Sequence, residues 1–106
     1  MADTYTSPAQ AYPTAGVLTP LLTAGAPIVS SSLQACNQSP QPAHYRVSVA
    51  PAAAADTPAH YLRFDETLLG NESRTIVAGI TLAATDALRV YSDTGTISFN
   101  LFYVTP

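Results

Sequence analysis

Two histidines are the most reactive-looking feature of this chain. His44 and His60 each precede a tyrosine where an alternating segment begins, and Asp56 and Asp65 lie close to them in sequence. Two imidazoles and a carboxylate would suffice for an open zinc site. No two of these groups share the fixed spacing within one element that helical zinc motifs use. Histidines hydrogen-bonded to a neighbouring loop at the start of a strand are the commoner arrangement, so no metal is expected.

The remaining candidates are weaker. Asp65 and Glu66 are adjacent, so on a strand they point to opposite faces and cannot form a paired acid and base. Asp65 could meet Asp86 or Asp93 only through folding. Arg63 with Asp65, and Arg89 and Tyr91 with Asp93, share strand faces, where ion pairs would contribute ~0–1 kcal/mol if exposed. No serine lies in a Gly-x-Ser-x-Gly elbow, and Ser30, Ser31 and Ser32 read as the polar face of a strand. Cys36 has no histidine or cation beside it in sequence, which favours a small buried thiol over a nucleophile, and a single cysteine builds no disulfide framework. The Asn71-Glu72-Ser73 sequon matters only in a eukaryotic secretory protein. The expectation is a non-enzymatic protein with no cofactor.

Composition narrows the classes further. The chain has 106 residues, one domain by size, and only 10% of them are charged, with arginine as the sole strong cation. Ordinary domains carry about 25% charged residues and use them for solubility. A chain so poor in charge is expected to have its surface occupied by copies of itself or by partners. The net charge is −3 and Arg46, Arg63, Arg74 and Arg89 are scattered, which gives no footprint for nucleic acid. No apolar run approaches the ~18 residues of a membrane span, and the first residues lack a secretory pattern. No nucleic-acid or membrane partner is therefore expected.

The elements that would position these side chains are strands. Residues 96–104 alternate strictly, with Ile97, Phe99, Leu101 and Tyr103 on one face and Ser98, Asn100, Phe102 and Val104 on the other. Period-two alternation marks a half-buried strand, but here the second face also becomes apolar, at Phe102 and Val104. Residues 28–36 and 44–49 read as further strands. In 61–66 the same alternation places Leu62 and Phe64 inward. Residues 74–78 and 80–82 read as one long strand bulged at Gly79, and 88–91 as another. Asp93-Thr94-Gly95 supplies the chemistry of a hairpin turn into the terminal strand. About seven short strands with frequent turns and no helix predict an all-β fold, a single antiparallel β-sandwich of immunoglobulin-like or jelly-roll-like kind.

Residues 1–26 differ in texture. Pro8, Pro13 and Pro20 fix φ and remove donors, so this stretch is expected to be an extended N-terminal arm, with the sandwich confined to 27–106. Val17, Leu18, Leu21 and Leu22 are too apolar to stay in water, and with Phe102, Tyr103 and Val104 they are the candidate subunit contacts.

A set of segments carries a resemblance: residues 34–37 (QACN), 44–51 (HYRVSVAP), 60–62 (HYL), 79–91 (GITLAATDALRVY) and 97–102 (ISFNLF). Over about residues 27–102 the chain resembles a group of small bacteriophage virion proteins. Members of that group commonly have glycine soon after the position of Phe102, where this chain has Tyr103-Val104. The resemblance implies a compact β-sandwich subunit encoded among phage structural genes, with no catalytic residues to carry over. The expected protein is a non-enzymatic structural subunit, located in the virion and assembled in the bacterial host cytoplasm. It would oligomerise as a trimer or higher and dock on other virion proteins at a tail, baseplate or fibre position. Capsid decoration is the alternative within that class. In another class, a carbohydrate- or receptor-binding module would use Tyr45, Tyr61, Tyr91 and Asp93. Exposed aromatic rings would favour that second class, although tryptophan, the preferred sugar platform, is absent.

Overall fold

Ten strands account for nearly all the regular structure of the computed structural model, which describes residues 4, 5 and 7–106. They are β1 (Thr4–Tyr5), β2 (Ala9–Ala11), β3 (Thr19–Thr23), β4 (Ile28–Asn37), β5 (Ala43–Ala50), β6 (Tyr61–Leu68), β7 (Ser73–Ala78), β8 (Thr81–Leu82), β9 (Ala87–Ser92) and β10 (Ile97–Thr105). Two single 3-10 turns, Pro51–Ala53 and Pro58–His60, interrupt the excursion between β5 and β6. The protein is all-β and built from two sheets, as the alternating segments require.

The first sheet runs β1-β10-β4-β7, with β2 also on β10 and β8 also on β4; the second runs β3-β9-β5-β6. Every pairing is antiparallel. Apart from the step from β5 to β6, the main connections carry the chain from one sheet to the other. The inward residues Leu33, Ala35, Ile97, Phe99 and Leu101 of the first sheet meet Tyr45, Val47, Leu88 and Val90 of the second in one core. Tyr45 and Phe99 touch edge to face across it, with ring centroids 6.4 Å apart.

Three expectations are corrected here. Asp93-Thr94-Gly95 does reverse the chain, and Gly95 takes a positive φ of 69°, but β9 and β10 lie in different sheets. The turn is an arch between sheets and not a hairpin. Turn chemistry specifies reversal, and only packing specifies which sheet receives the next strand. Gly95 is needed on a second count, because an added Cβ would come within 2.9 Å of the Ala15 backbone nitrogen.

The second correction concerns β6. Leu62 and Phe64 face solvent, at 42% and 56% exposure. Tyr45 pairs with Glu66 and Val47 with Arg63, so β6 carries one residue more than β5 over that interval. Asp65, at a φ of 51°, absorbs the extra residue. A bulge of one residue reverses which side chains face the core.

The third correction concerns residues 7–26, which are extended but do not stand apart from the sandwich. β2 pairs with β10, and β3 pairs with β9 as an edge strand of the second sheet. Leu21 is 7% exposed and joins the core with Ala24. Pro20 is compatible with this place because an edge strand has one side that owes no hydrogen bonds. Residues 1–3 and 6 of the expected arm lie outside the described residues.

Candidate functional site

The excursion between β5 and β6 is pinned by an ion cluster. Asp56 Oδ1 lies 3.2 Å from both His60 Nδ1 and Arg89 Nη1, and Ser48 Oγ donates to Asp56 Oδ2 at 3.0 Å. Arg89 also donates to the carbonyls of Ala53 and Ala54 at 3.1 and 2.8 Å. Serine, carboxylate and imidazole meet here in an order that a hydrolase does not use. The hydroxyl donates to the carboxylate and has no imidazole placed to take its proton. Through Arg89 the cluster holds an alanine-rich loop in which Ala52 and Ala53 both sit at φ 54°.

His44 belongs to a second group. Its backbone N–H donates to Asp93 Oδ1 at 2.8 Å and its Nδ1 lies 3.0 Å from Asp93 Oδ2. The two histidines therefore engage different aspartates. No three His, Cys, Asp or Glu residues converge to hold a metal ion among the described residues.

Between these groups lies an arrangement that the sequence did not reveal. The Arg46 guanidinium carbon sits 4.2 Å from the Phe64 ring centroid and 4.4 Å from that of Tyr91. Its Nε and Nη2 donate to Asp65 at 2.6 and 3.1 Å, a bidentate pair. Asp65, hydrogen-bonded to that cation, is held below the ordinary carboxylate range. Tyr61 closes on Phe64 edge to face, with centroids 5.0 Å apart and an interplanar angle of 88°. The bulge at Asp65 brings Phe64 to this face, so no reading by alternation alone could have found it. Two open depressions flank the group. One of about 440 Å³ is lined by Asp56, Thr57, Pro58, Tyr61 and Phe64, and another of about 390 Å³ by His44, Arg46, Asp65, Tyr91 and Asp93. Tyr45, grouped with these tyrosines on sequence grounds, is fully buried, and its hydroxyl donates to Glu66 at 2.7 Å. Burial and the Glu66 carboxylate push its phenol above the usual range.

The outer face of the first sheet is different in kind. Its outward positions include Gln10, Gln34, Ser98, Asn100, Phe102 and Val104. Among the described residues no charged side chain stands on it. Gln10 donates to Asn100, Gln34 to Thr75, and Gln38 to Ser98. Phe102 and Val29, 43% and 45% exposed, are its apolar members, and Val29 pairs with Val104. A groove of about 280 Å³ follows Val29, Ser31 and Phe102, and one of about 490 Å³ follows Gln10, Tyr12 and Asn100.

The candidate contact residues divide accordingly. Val17 and Phe102 are exposed, and Leu18 and Val104 are half-buried. Leu22 and Tyr103 are partly buried against the chain's own core. Leu21 is consumed by that core and is unavailable to a neighbour. Val29 was missed, although its position beside Val104 across the sheet makes it part of the same patch. Among the described residues no helix is long and apolar enough to cross a membrane. No family model, curated protein or solved structure matches the chain.

Proposed function

We propose that this protein is a non-enzymatic structural subunit of a bacteriophage particle, which assembles with copies of itself and with other virion subunits. The observation that carries this reading is the charge-free outer face of the first sheet. Faces that lack charge can be apposed to their own copies without like-charge repulsion, whatever the symmetry. The amide and hydroxyl groups of Gln10, Gln34, Ser98 and Asn100 each donate and accept, so they can pair with the same groups on a neighbour. The strand residues of this sheet, each covering ~3.3 Å along the chain and ~4.8 Å across it, span roughly 500 Å² in projection. A standard interface takes ~800 Å² of accessible surface per partner, so this face is of the right order.

The strand order also bears on the class of sandwich. With β1 and β8 set aside as short additions, the remaining eight strands run first-eighth-third-sixth in one sheet and second-seventh-fourth-fifth in the other. We infer a jelly roll, of two interleaved Greek keys, in preference to an immunoglobulin-like sandwich. Viral capsid domains and lectins both use that architecture, an analogy of fold that leaves function to the faces. The resemblance over residues 79–91 and the terminal strand points the same way. A tail, baseplate or fibre position, as a trimer or higher oligomer, is the placement favoured here, with capsid decoration as the alternative.

The test is sedimentation equilibrium at micromolar concentration on the wild type and on a Val29→Glu, Phe102→Glu double variant. Both positions are exposed, so the variant should fold normally. The wild type should form oligomers and the variant should sediment as a single species of about 11 kDa. A wild type that is itself monomeric across that range would overturn the proposal.

A further inference from the structure

The outer face of the second sheet carries chemistry that assembly through the first sheet does not use. The chain has seven acidic and four basic residues in all. Asp56, Asp65, Asp93, Arg46 and Arg89, together with both histidines, stand on or over this one face. Arg46 and Arg89 are each matched by a carboxylate and Asp93 faces His44, so with neutral histidines these groups leave a single net negative charge. It would not concentrate anions such as phosphates, and it offers no uncompensated carboxylate cluster for a cation.

Phe64 is the exposed aromatic ring of this face, with Tyr61 and Tyr91 half-buried beside it. Phe64 is 56% exposed although one face is covered by Arg46 and its edge contacts Tyr61. Leaving more than half of such a ring in water forgoes much of the stabilisation that burial would give it. Its contacts with Arg46 and Tyr61 favour one ring orientation, which lowers the entropic cost of binding against it. The depression beside it, about 440 Å³, falls within the size range of small-ligand sites. Its rim combines the Tyr61 and Phe64 rings and Pro58 with the Thr57 hydroxyl.

We propose that this depression is a binding site for a neutral carbohydrate. A pyranose ring has an apolar C–H face, which suits an exposed aromatic ring, and a rim of hydroxyls that both donate and accept. The hydroxyls would meet the Thr57 hydroxyl, the Tyr61 phenol and the Asp56 carboxylate, which line the same depression. A neutral sugar meets no repulsion there, whereas an acidic one would face the residual negative charge of three aspartates against two arginines. The site lies on the opposite side of the sandwich from the proposed assembly face, so both could be occupied at once.

The test uses the full chain on a glycan array of neutral and acidic oligosaccharides, followed by titration calorimetry with the strongest neutral binder. Phe64→Ala and Tyr61→Ala should each weaken binding at least tenfold while leaving the circular dichroism melt within a few degrees of wild type. Leu69→Ala, exposed at a turn away from the depression, should leave affinity unchanged. Binding should persist in the Val29→Glu, Phe102→Glu variant, which separates this site from the assembly face. The proposal fails if no neutral oligosaccharide binds at millimolar concentration, if only acidic glycans bind, or if Phe64→Ala binds as well as wild type.

Discussion

Replacing Asn37 with alanine should cost about 3 kcal/mol, because one buried amide ties three loops together at the end of the sandwich. Asn37 is 1% exposed. Its Nδ2 donates to the carbonyls of Gln41 at 2.8 Å, Leu68 at 3.2 Å and Leu69 at 3.2 Å. Its Oδ1 accepts from the Ser39 N–H at 3.1 Å and from the Thr96 hydroxyl at 2.9 Å. An amide has two donor hydrogens, so three acceptors share two full bonds. With the two accepted bonds, the side chain supplies about four, each contributing ~1 kcal/mol net. Water reaching the less buried groups would return about 1 kcal/mol of that. The same junction requires Gly70, where an added Cβ would lie 2.0 Å from the Pro40 carbonyl oxygen. Urea unfolding followed by far-UV circular dichroism and tyrosine fluorescence would measure the loss, and the melting temperature should fall by about 12–24 °C. Gln38→Ala, at an exposed amide in the same turn, should stay within ~0.5 kcal/mol of wild type. Asn37→Asp provides a check on mechanism. A carboxylate facing carbonyls has its folded pKa raised, so the variant's deficit should shrink as pH falls and the acid again donates. A loss below about 1 kcal/mol for Asn37→Ala would refute the argument that these bonds hold the junction.

Two further outcomes follow from the placement of individual side chains. Leu21→Asp should destabilise the domain by about 4–5 kcal/mol, since it puts a carboxylate into a core position, while Val17→Asp, at an exposed site, should change stability by ~0.5 kcal/mol or less; equal effects in thermal melts would mean that residues 7–26 are not part of the core. Asp65 is stabilised in its charged form by Arg46, so its contribution is complete above the unfolded carboxylate value of about 4 and is lost as pH falls through its lower folded value. Asp65→Asn should therefore be less stable than wild type at pH 7 by about 0–1 kcal/mol, the range for an exposed pair, with the difference vanishing at low pH; a gap that widens on acidification would reverse the assignment.

The sequence by itself determined the class of structure and most of its strands. Alternation in residues 96–104 located β10 and its inward set Ile97, Phe99 and Leu101, because burying one face of a strand demands period two regardless of neighbours. Residues 28–36, 44–49 and 88–91 were legible for the same reason. An interruption at Gly79 was also legible, and Gly79 takes a positive φ of 79°, but β7 and β8 keep one register on β4 across it and the bulged residue is Ile76, which carries no compositional mark. What the sequence could not determine depended on groups distant along the chain. The proline-rich stretch looked like an arm because Pro20 breaks its alternation, yet an edge beside β9 accepts a strand with a missing donor. Phe64 looked inward because a bulge at a non-glycine residue leaves no compositional mark, and only pairing with β5 exposes the extra residue. The Arg46 cluster joins residues from β5, β6 and β9, brought together by the order of strands in the second sheet. The separation of charge onto one face and neutrality onto the other has the same origin. Alternation decides that successive side chains point opposite ways, but which face becomes the core and which the surface is settled only when two sheets pack.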